Sequence, residues 1–404
     1  MLIVAFFISP DSSWTLKEIR SQWLMTSLTL ALGMGMALLA NSKTIDISKI
    51  FSVLFFVLLS HVIIISADGI YTVISDLRVN EFQGLTLSTR MVNGLTRSPI
   101  DASVVTVFLL GMVSTEMIFR GFYGKKYLNI NNSILILALA MSFLSSILCG
   151  LRNIVELFFI FICGVTLLFA HDNKFSRRKS LLIPVLLLSL TAGFFFFKSD
   201  PRWATLGKSM ALARSTEYKW DIKPEELKNG GYAIEPIEGV RVSISNYLRF
   251  EKYELAIKTV AENPLGVGFG RNALGKSVVS RYENAKNLNS DSSMLDIFVG
   301  TGVFGGVLWI LFLANMLRFA VITFIKHESY IAFWLMLVIV AFSARMTIDS
   351  MGKDHLLQEF MFTAGLLYML LRVEESRWAL KLPAAVPAMP PPGGGASVFF
   401  NKRF

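Results

Sequence analysis

Cysteine, histidine and charge are all scarce in this chain of 404 residues, which has two cysteines, four histidines and charged side chains at 17 % of positions. Cys149 and Cys163 both fall in apolar stretches, so neither a disulfide framework nor a cysteine metal site is expected. There is no cluster of metal ligands, no Walker loop, no nucleophile elbow and no D-x-D pair. Those absences argue against a nucleotide-sugar enzyme that works through a divalent cation, and no metal or cofactor is expected. What fills the chain instead is apolar: 53 % of residues are hydrophobic, which indicates a polytopic membrane protein rather than the two or three soluble domains that length alone suggests. The net charge of +10 does not indicate nucleic acid, because the basic residues stand at helix ends and in one long loop, not in a patch interleaved with aromatics. Short cytoplasmic loops and a bilayer with anionic lipid explain them better.

Apolar runs long enough to span occur at roughly 22–40, 48–67, 103–120, 132–150, 154–170, 180–197, 294–317, 329–347 and 356–372. Residues 1–9 are apolar but too short to span, and with no basic stretch before them they read as the tail of a truncated or misannotated first span. When the spans alternate, Arg120, Lys125 and Lys126, the Lys174–Lys179 group, Lys326 and the basic stretch from Arg372 all fall on one side, which is then cytoplasmic. Residues 68–102, the turn at Leu151–Arg152, the loop 198–293 and the turn 348–355 fall on the other side, the periplasm of a Gram-negative inner membrane. The predicted architecture is an all-α transmembrane bundle of about 9–10 spans. Its parts are helices in 1–197, a large periplasmic loop with short helices in 198–293, helices in 294–372, and a Pro- and Gly-rich cytoplasmic tail in 373–404. No internal repeat is visible.

The polar stretch from Arg241 to Gly302 runs straight into an apolar helix, and polar groups at that place need a role. It begins with an amphipathic helix whose apolar positions are Phe250, Tyr253, Ile257 and Val260, with Ser245 or Asn246 as N-cap and Asn263-Pro264 as the stop. Gly266, Gly268 and Gly270 could bring backbone N–H groups to a phosphate, but no βαβ unit surrounds them, so dinucleotide binding is not indicated. Arg249, Arg271 and Arg281 punctuate the stretch, and the guanidinium fork suits bidentate phosphate contact. Ser290-Asp291-Ser292-Ser293 then brings a carboxylate and hydroxyls to the mouth of the next helix.

Together, Ser245-x-Tyr247-x-Arg249, Glu262-Asn263-Pro264-Leu265-Gly266-x-Gly268, Ser290-Asp291-Ser292-Ser293-x-Leu295-Asp296 and Gly300-x-Gly302-x-x-Gly305 resemble the central region of the O-antigen ligase and polymerase family. Asp200-Pro201-Arg202-Trp203 and Arg152 extend the resemblance loosely over roughly residues 100–370. It implies a periplasm-facing glycosyltransferase that takes a glycan from an undecaprenyl-pyrophosphate-linked donor to a sugar hydroxyl of a lipid A–core acceptor, without a metal and with inversion. It also implies a 12-span fold, of which this chain is short at the N-terminal end. Arg249 and Asp291 would be catalytic, and Arg152, Tyr247, Arg202, Arg271 and Arg281 would bind substrate. One departure stands out: the family usually has histidine where this chain has Asp291, a residue placed equally well to cap the following helix. His355, at the periplasmic start of the last span, is the alternative base. Arg152 also suits an interfacial anchor that reaches lipid phosphate. Gly302 and Gly306 form a G-x-x-x-G that suits close helix packing. Polymerisation of repeat units, protein glycosylation, and transport of a lipid-linked glycan or anion remain alternatives.

Overall fold

The computed structural model describes residues 6–9, 11–41, 47–79, 99–148, 164, 201–215, 234–237, 239–270, 272–280, 288–349 and 354–381. Runs of Leu, Ile, Val and Phe with few helix breakers make these residues almost wholly helical. A first rod contains α1 (Ser12–Glu18), a π-helical turn (Ile19–Leu24) and α2 (Met25–Asn41). It is followed by α3 (Ile47–Val79), α4 (Pro99–Ile118) with a π-helical end (Phe119–Tyr123), and α5 (Asn132–Leu148). The polar stretch holds α6 (Pro201–Ala204), α7 (Leu206–Ser215), strands β1 (Ile234–Ile237) and β2 (Val240–Ser243), α8 (Ile244–Glu262) and α9 (Ala273–Val278). Three helices close the bundle: α10 (Ser293–His327), α11 (Tyr330–Met346) and α12 (Asp354–Lys381).

Five helices are long and apolar enough to cross a membrane, and α5 and α11 are shorter apolar helices. Several run past the apolar stretch that marks them: the first rod starts at Ser12 rather than near 22, and α10 continues to His327 rather than 317. The expected spans 154–170 and 180–197, the Leu151–Arg152 turn and the tail beyond 381 lie outside the described residues. α11 is the central helix, because Tyr330 through Ile339 are all buried, a pattern that requires apolar neighbours on every side. It packs against α4, α10 and α12. α12 in turn lies along α2, where Gly33 and Gly365 allow the two backbones to meet; a Cβ on Gly365 would sit 2.6 Å from the Leu30 carbonyl oxygen. α10 leaves Val303, Phe304, Val307, Leu308, Ile310 and Leu311 exposed as an apolar stripe.

The connecting segments sort to two ends. At one end Ser48 Oγ donates to the Tyr127 carbonyl at 3.0 Å, and Ser329 Oγ donates to Glu374 Oε2 at 2.7 Å. The buried Glu116 accepts Arg120 Nε at 2.7 Å and the Leu128 N–H at 3.1 Å, which closes the Phe119–Asn132 turn. At the other end Tyr253 Oη donates to the Thr347 carbonyl at 3.1 Å, and Ser293 N–H to the Asp349 carbonyl at 3.0 Å. The basic loop at 120–126 therefore lies opposite α8.

The segment expected to hold short helices also contains a hairpin. β1 and β2 pair antiparallel, Ile234 with Ser243 through Ile237 with Val240, around Gly239 at φ +80. A second difference concerns α8, whose buried stripe is Tyr247, Glu251, Leu255 and Thr259, while Ile257 is 53 % exposed. The helix packs on α7 through Tyr247 and on α10 further along, so two neighbours rather than one apolar stripe decide which face is inside. Glu251 tolerates burial because Tyr247 Oη donates to it at 2.6 Å.

Candidate active site

Asn263-Pro264 stops α8 as expected, and the loop it opens does more than turn the chain. It enters a break in α10. Gly302 has φ +71 and ψ −177, outside the helical region, and the loop backbone takes up the bonds released there. Val267 N–H donates to the Val299 carbonyl at 2.9 Å, and Val303 N–H donates to the Pro264 carbonyl at 2.9 Å. Gly266, at φ +94, touches this backbone directly: a Cβ would lie 2.5 Å from Gly302 N. Gly302 and Gly306 are thus not a flat helix-packing pair. Gly302 is the break, and the space over Gly306 is filled by the Phe298 ring from across it. The glycine run is likewise a packing device: Gly268 lies under Ser9 and Gly270 under the Trp14 indole.

The N-terminal segment is clamped to the same loop. Asp11 Oδ1 caps α1 by accepting the Trp14 N–H at 3.0 Å, its Oδ2 meets Lys276 Nζ at 2.9 Å, and that ammonium lies 3.8 Å from the Trp14 ring centroid. The Trp14 N–H, with Lys276 and Ser13 adding to it, lowers the Asp11 pKa to about 2.

The charged cluster is built where α8, the start of α10 and the end of α11 meet. Arg249 Nη2 lies 3.7 Å from Asp349 Oδ1, and Arg345 Nε donates to Asp349 Oδ2 at 3.3 Å. One carboxylate therefore serves two guanidinium groups. Nε and Nη1 of Arg249 are buried and make no hydrogen bond among the described residues. An unmet buried donor costs about 1–3 kcal/mol, and more when it carries charge, so this guanidinium favours an anion with free oxygens. One turn along α8, Lys252 Nζ lies 2.6 Å from Asp291 Oδ2. Among the described residues named here, three cations, Arg249, Lys252 and Arg345, and two carboxylates, Asp291 and Asp349, sum to one positive charge.

Asp291 is not the helix cap. That role belongs to Ser292, whose Oγ accepts the Leu295 N–H at 3.3 Å. Asp291 instead stands at φ +55, a left-handed conformation that Asp tolerates better than most residues, with its N–H on Asn289 Oδ1 at 3.1 Å. Asp296 fixes the turn: its Oδ1 accepts Ser290 N–H at 2.9 Å and Ser290 Oγ–H at 2.8 Å.

Residues 133–310 match the O-antigen ligase family. That stretch is O-antigen ligase-like. No curated protein and no solved structure matches the chain. Within the matched residues lie Arg249, Lys252 and Asp291; Arg345 and Asp349 stand beyond their end and join the cluster through the fold. Tyr247 does not line this cluster: it is fully buried, packs with Leu212, Ala213 and Val242, and donates its hydroxyl to Glu251. These contacts anchor α8 on α7. Arg202 lies on α6, and His355 is half-buried near the start of α12. Arg152, Arg271 and Arg281 lie outside the described residues. Among the described residues no group of three His, Cys, Asp or Glu side chains could hold a metal ion.

Sequence reasoning missed Lys252 and Arg345. Arg345 did carry a signal, as the one charged residue of the apolar run Tyr330–Met346, and such residues tend to face an interior partner. Lys252 carried none, because an exposed-looking lysine on an amphipathic helix has no distinguishing pattern.

Proposed function

We propose that this protein is an O-antigen ligase-like glycosyltransferase of the bacterial inner membrane. It moves a glycan from undecaprenyl pyrophosphate to a lipid A–core sugar hydroxyl at the periplasmic face. The observation that carries the reading is Arg249 within the matched residues, with its Nε and Nη1 buried and without hydrogen bonds among the described residues, in a cluster to which it gives the excess positive charge. Arg249 receives the donor diphosphate and Arg345 holds Asp349 in place beneath it. The basic 120–126 loop at the opposite end of the bundle supports a cytoplasmic assignment for that end, and so a periplasmic one for the cluster. Arg152, Arg202, Arg271 and Arg281 are the further arginines assigned to phosphate binding in this reading.

In the transfer, Asp291 accepts the proton of the acceptor hydroxyl as its oxygen bonds to the anomeric carbon. The bond from that carbon to the donor phosphate oxygen breaks, and its electron pair leaves with the pyrophosphate. A single displacement of this kind inverts the anomeric centre. Cationic side chains stabilise the departing charge, which removes the need for a metal.

The test is transfer by the purified chain with lipid-linked donor and acceptor in EDTA. Arg249→Ala should lower transfer roughly a hundredfold at normal protein level, and Arg249→Lys should recover part of it, since lysine supplies charge without the fork. Near-normal transfer by Arg249→Ala would refute the assignment. Gene deletion followed by glycolipid electrophoresis separates ligation, which leaves lipid-linked polymer, from polymerisation, which leaves core capped by a single unit.

A further inference from the structure

Lys252 stands three residues after Arg249 on α8, so the two side chains leave the same face of the helix. Its ammonium is bound to Asp291 Oδ2, and among the described residues Lys252 is the one side chain bonded to that carboxylate. As the pair stands, Lys252 occupies an oxygen that an acceptor hydroxyl would need. The two cations of α8 are held differently. Arg249 faces Asp349, which Arg345, itself only 2 % exposed, fixes from the other side. Lys252 and Arg249 are similarly exposed, at 21 % and 19 %, but Asp291 is more open than Asp349, at 33 % against 18 %, and among the described residues Lys252 has no second acid to anchor it. A lysine ammonium is a point charge with three donors on a flexible stem, so it can turn from one oxygen to another without movement of the backbone. A diphosphate on Arg249 brings more negative charge within one helical turn of Lys252 than the single carboxylate of Asp291.

We propose that Lys252 is a positioning residue that exchanges partners: it holds Asp291 until a donor phosphate takes its ammonium, and the exchange releases Oδ2 to face the acceptor hydroxyl. No covalent bond changes in this step. Its consequence is order. The base becomes available only when the donor is in place, which protects the site from unproductive acceptor binding. The inference rests on Arg249 being the diphosphate site.

Because Asp291 and the donor compete for one ammonium, removal of Asp291 should tighten donor binding even though it abolishes transfer. Binding of undecaprenyl pyrophosphate to the full chain in nanodiscs, measured by calorimetry, should be about fivefold tighter in Asp291→Ala, in keeping with a half-exposed ion pair. Asp291→Asn, which tolerates the same backbone, should give the same gain, so a folding defect in one variant does not decide the matter. Lys252→Met in the Asp291→Ala background should erase the gain. Lys252→Arg should keep donor affinity and lower the transfer rate, because its fork releases the carboxylate less readily. Unchanged or weaker binding in both Asp291 variants overturns the exchange while leaving the diphosphate reading intact. Failure of the unaltered chain to bind the probe overturns both.

Discussion

Replacement of Gly302 by alanine should unseat the loop that joins α8 to the bundle. At φ +71 and ψ −177 the residue lies in a region that only glycine occupies easily, and a side chain there costs about 1–3 kcal/mol in backbone strain. A Cβ would also stand 2.7 Å from Gly266 N and press on Pro264 and Leu265, all of them backbone contacts that no rotamer change can relieve. If the loop withdraws, the bonds from Val267 to Val299 and from Val303 to Pro264 go with it, at about 1 kcal/mol each. The sum is roughly 3–5 kcal/mol, enough to populate a detached loop. Since α8 ends in that loop, Arg249 and Lys252 should lose their register against Asp349 and Asp291. Thermal aggregation followed by gel filtration in detergent should show Gly302→Ala failing well below the unaltered chain, with donor binding reduced in parallel. Gly35→Ala is the control, because nothing lies within 4 Å of its added Cβ. If both variants survive to the same temperature and bind donor equally, the break in α10 does not hold the loop.

Three further outcomes are expected. Asp291→His should retain appreciable transfer whereas Asp291→Asn should lose it, because imidazole accepts a proton and an amide does not; a fully active Asn variant together with a dead His355→Ala would move the base to α12. Arg345→Leu should weaken donor binding without touching the donor, since Asp349 would then be free to close on Arg249; unchanged affinity would assign Arg345 to packing alone. Asp11 has its pKa lowered from 3.8 to about 2, so the clamp to Lys276 is at full strength above the unfolded value and is lost only as pH falls through about 2. Crosslinking between cysteines at positions 11 and 276 would bypass that loss, and a clamp released already near pH 5 would contradict the assignment.

The sequence by itself determined that the chain is a membrane helix bundle, because apolar run length and sparse charge permit little else in a bilayer. It also determined where α8 stops, since Pro264 cannot continue a helix, and it singled out Arg249 and Asp291 through motif residues close in the chain. The tertiary structure decided what those residues face. Periodicity chose the wrong inner face for α8, because Tyr247 and Glu251 satisfy each other in burial and so hide a polar stripe from any count of apolar positions. The glycines of 266–270 have no assigned role in the sequence beyond a possible approach to phosphate and Gly302 reads as half of a helix-packing pair, yet each is small because another part of the chain lies against it, a contact made across more than thirty residues. Lys252 with Asp291, and Arg345 with Arg249 through Asp349, are likewise partnerships that no local pattern contains. Helices follow from nearest neighbours along the chain, whereas the charge balance of a site depends on which helix ends the fold brings together.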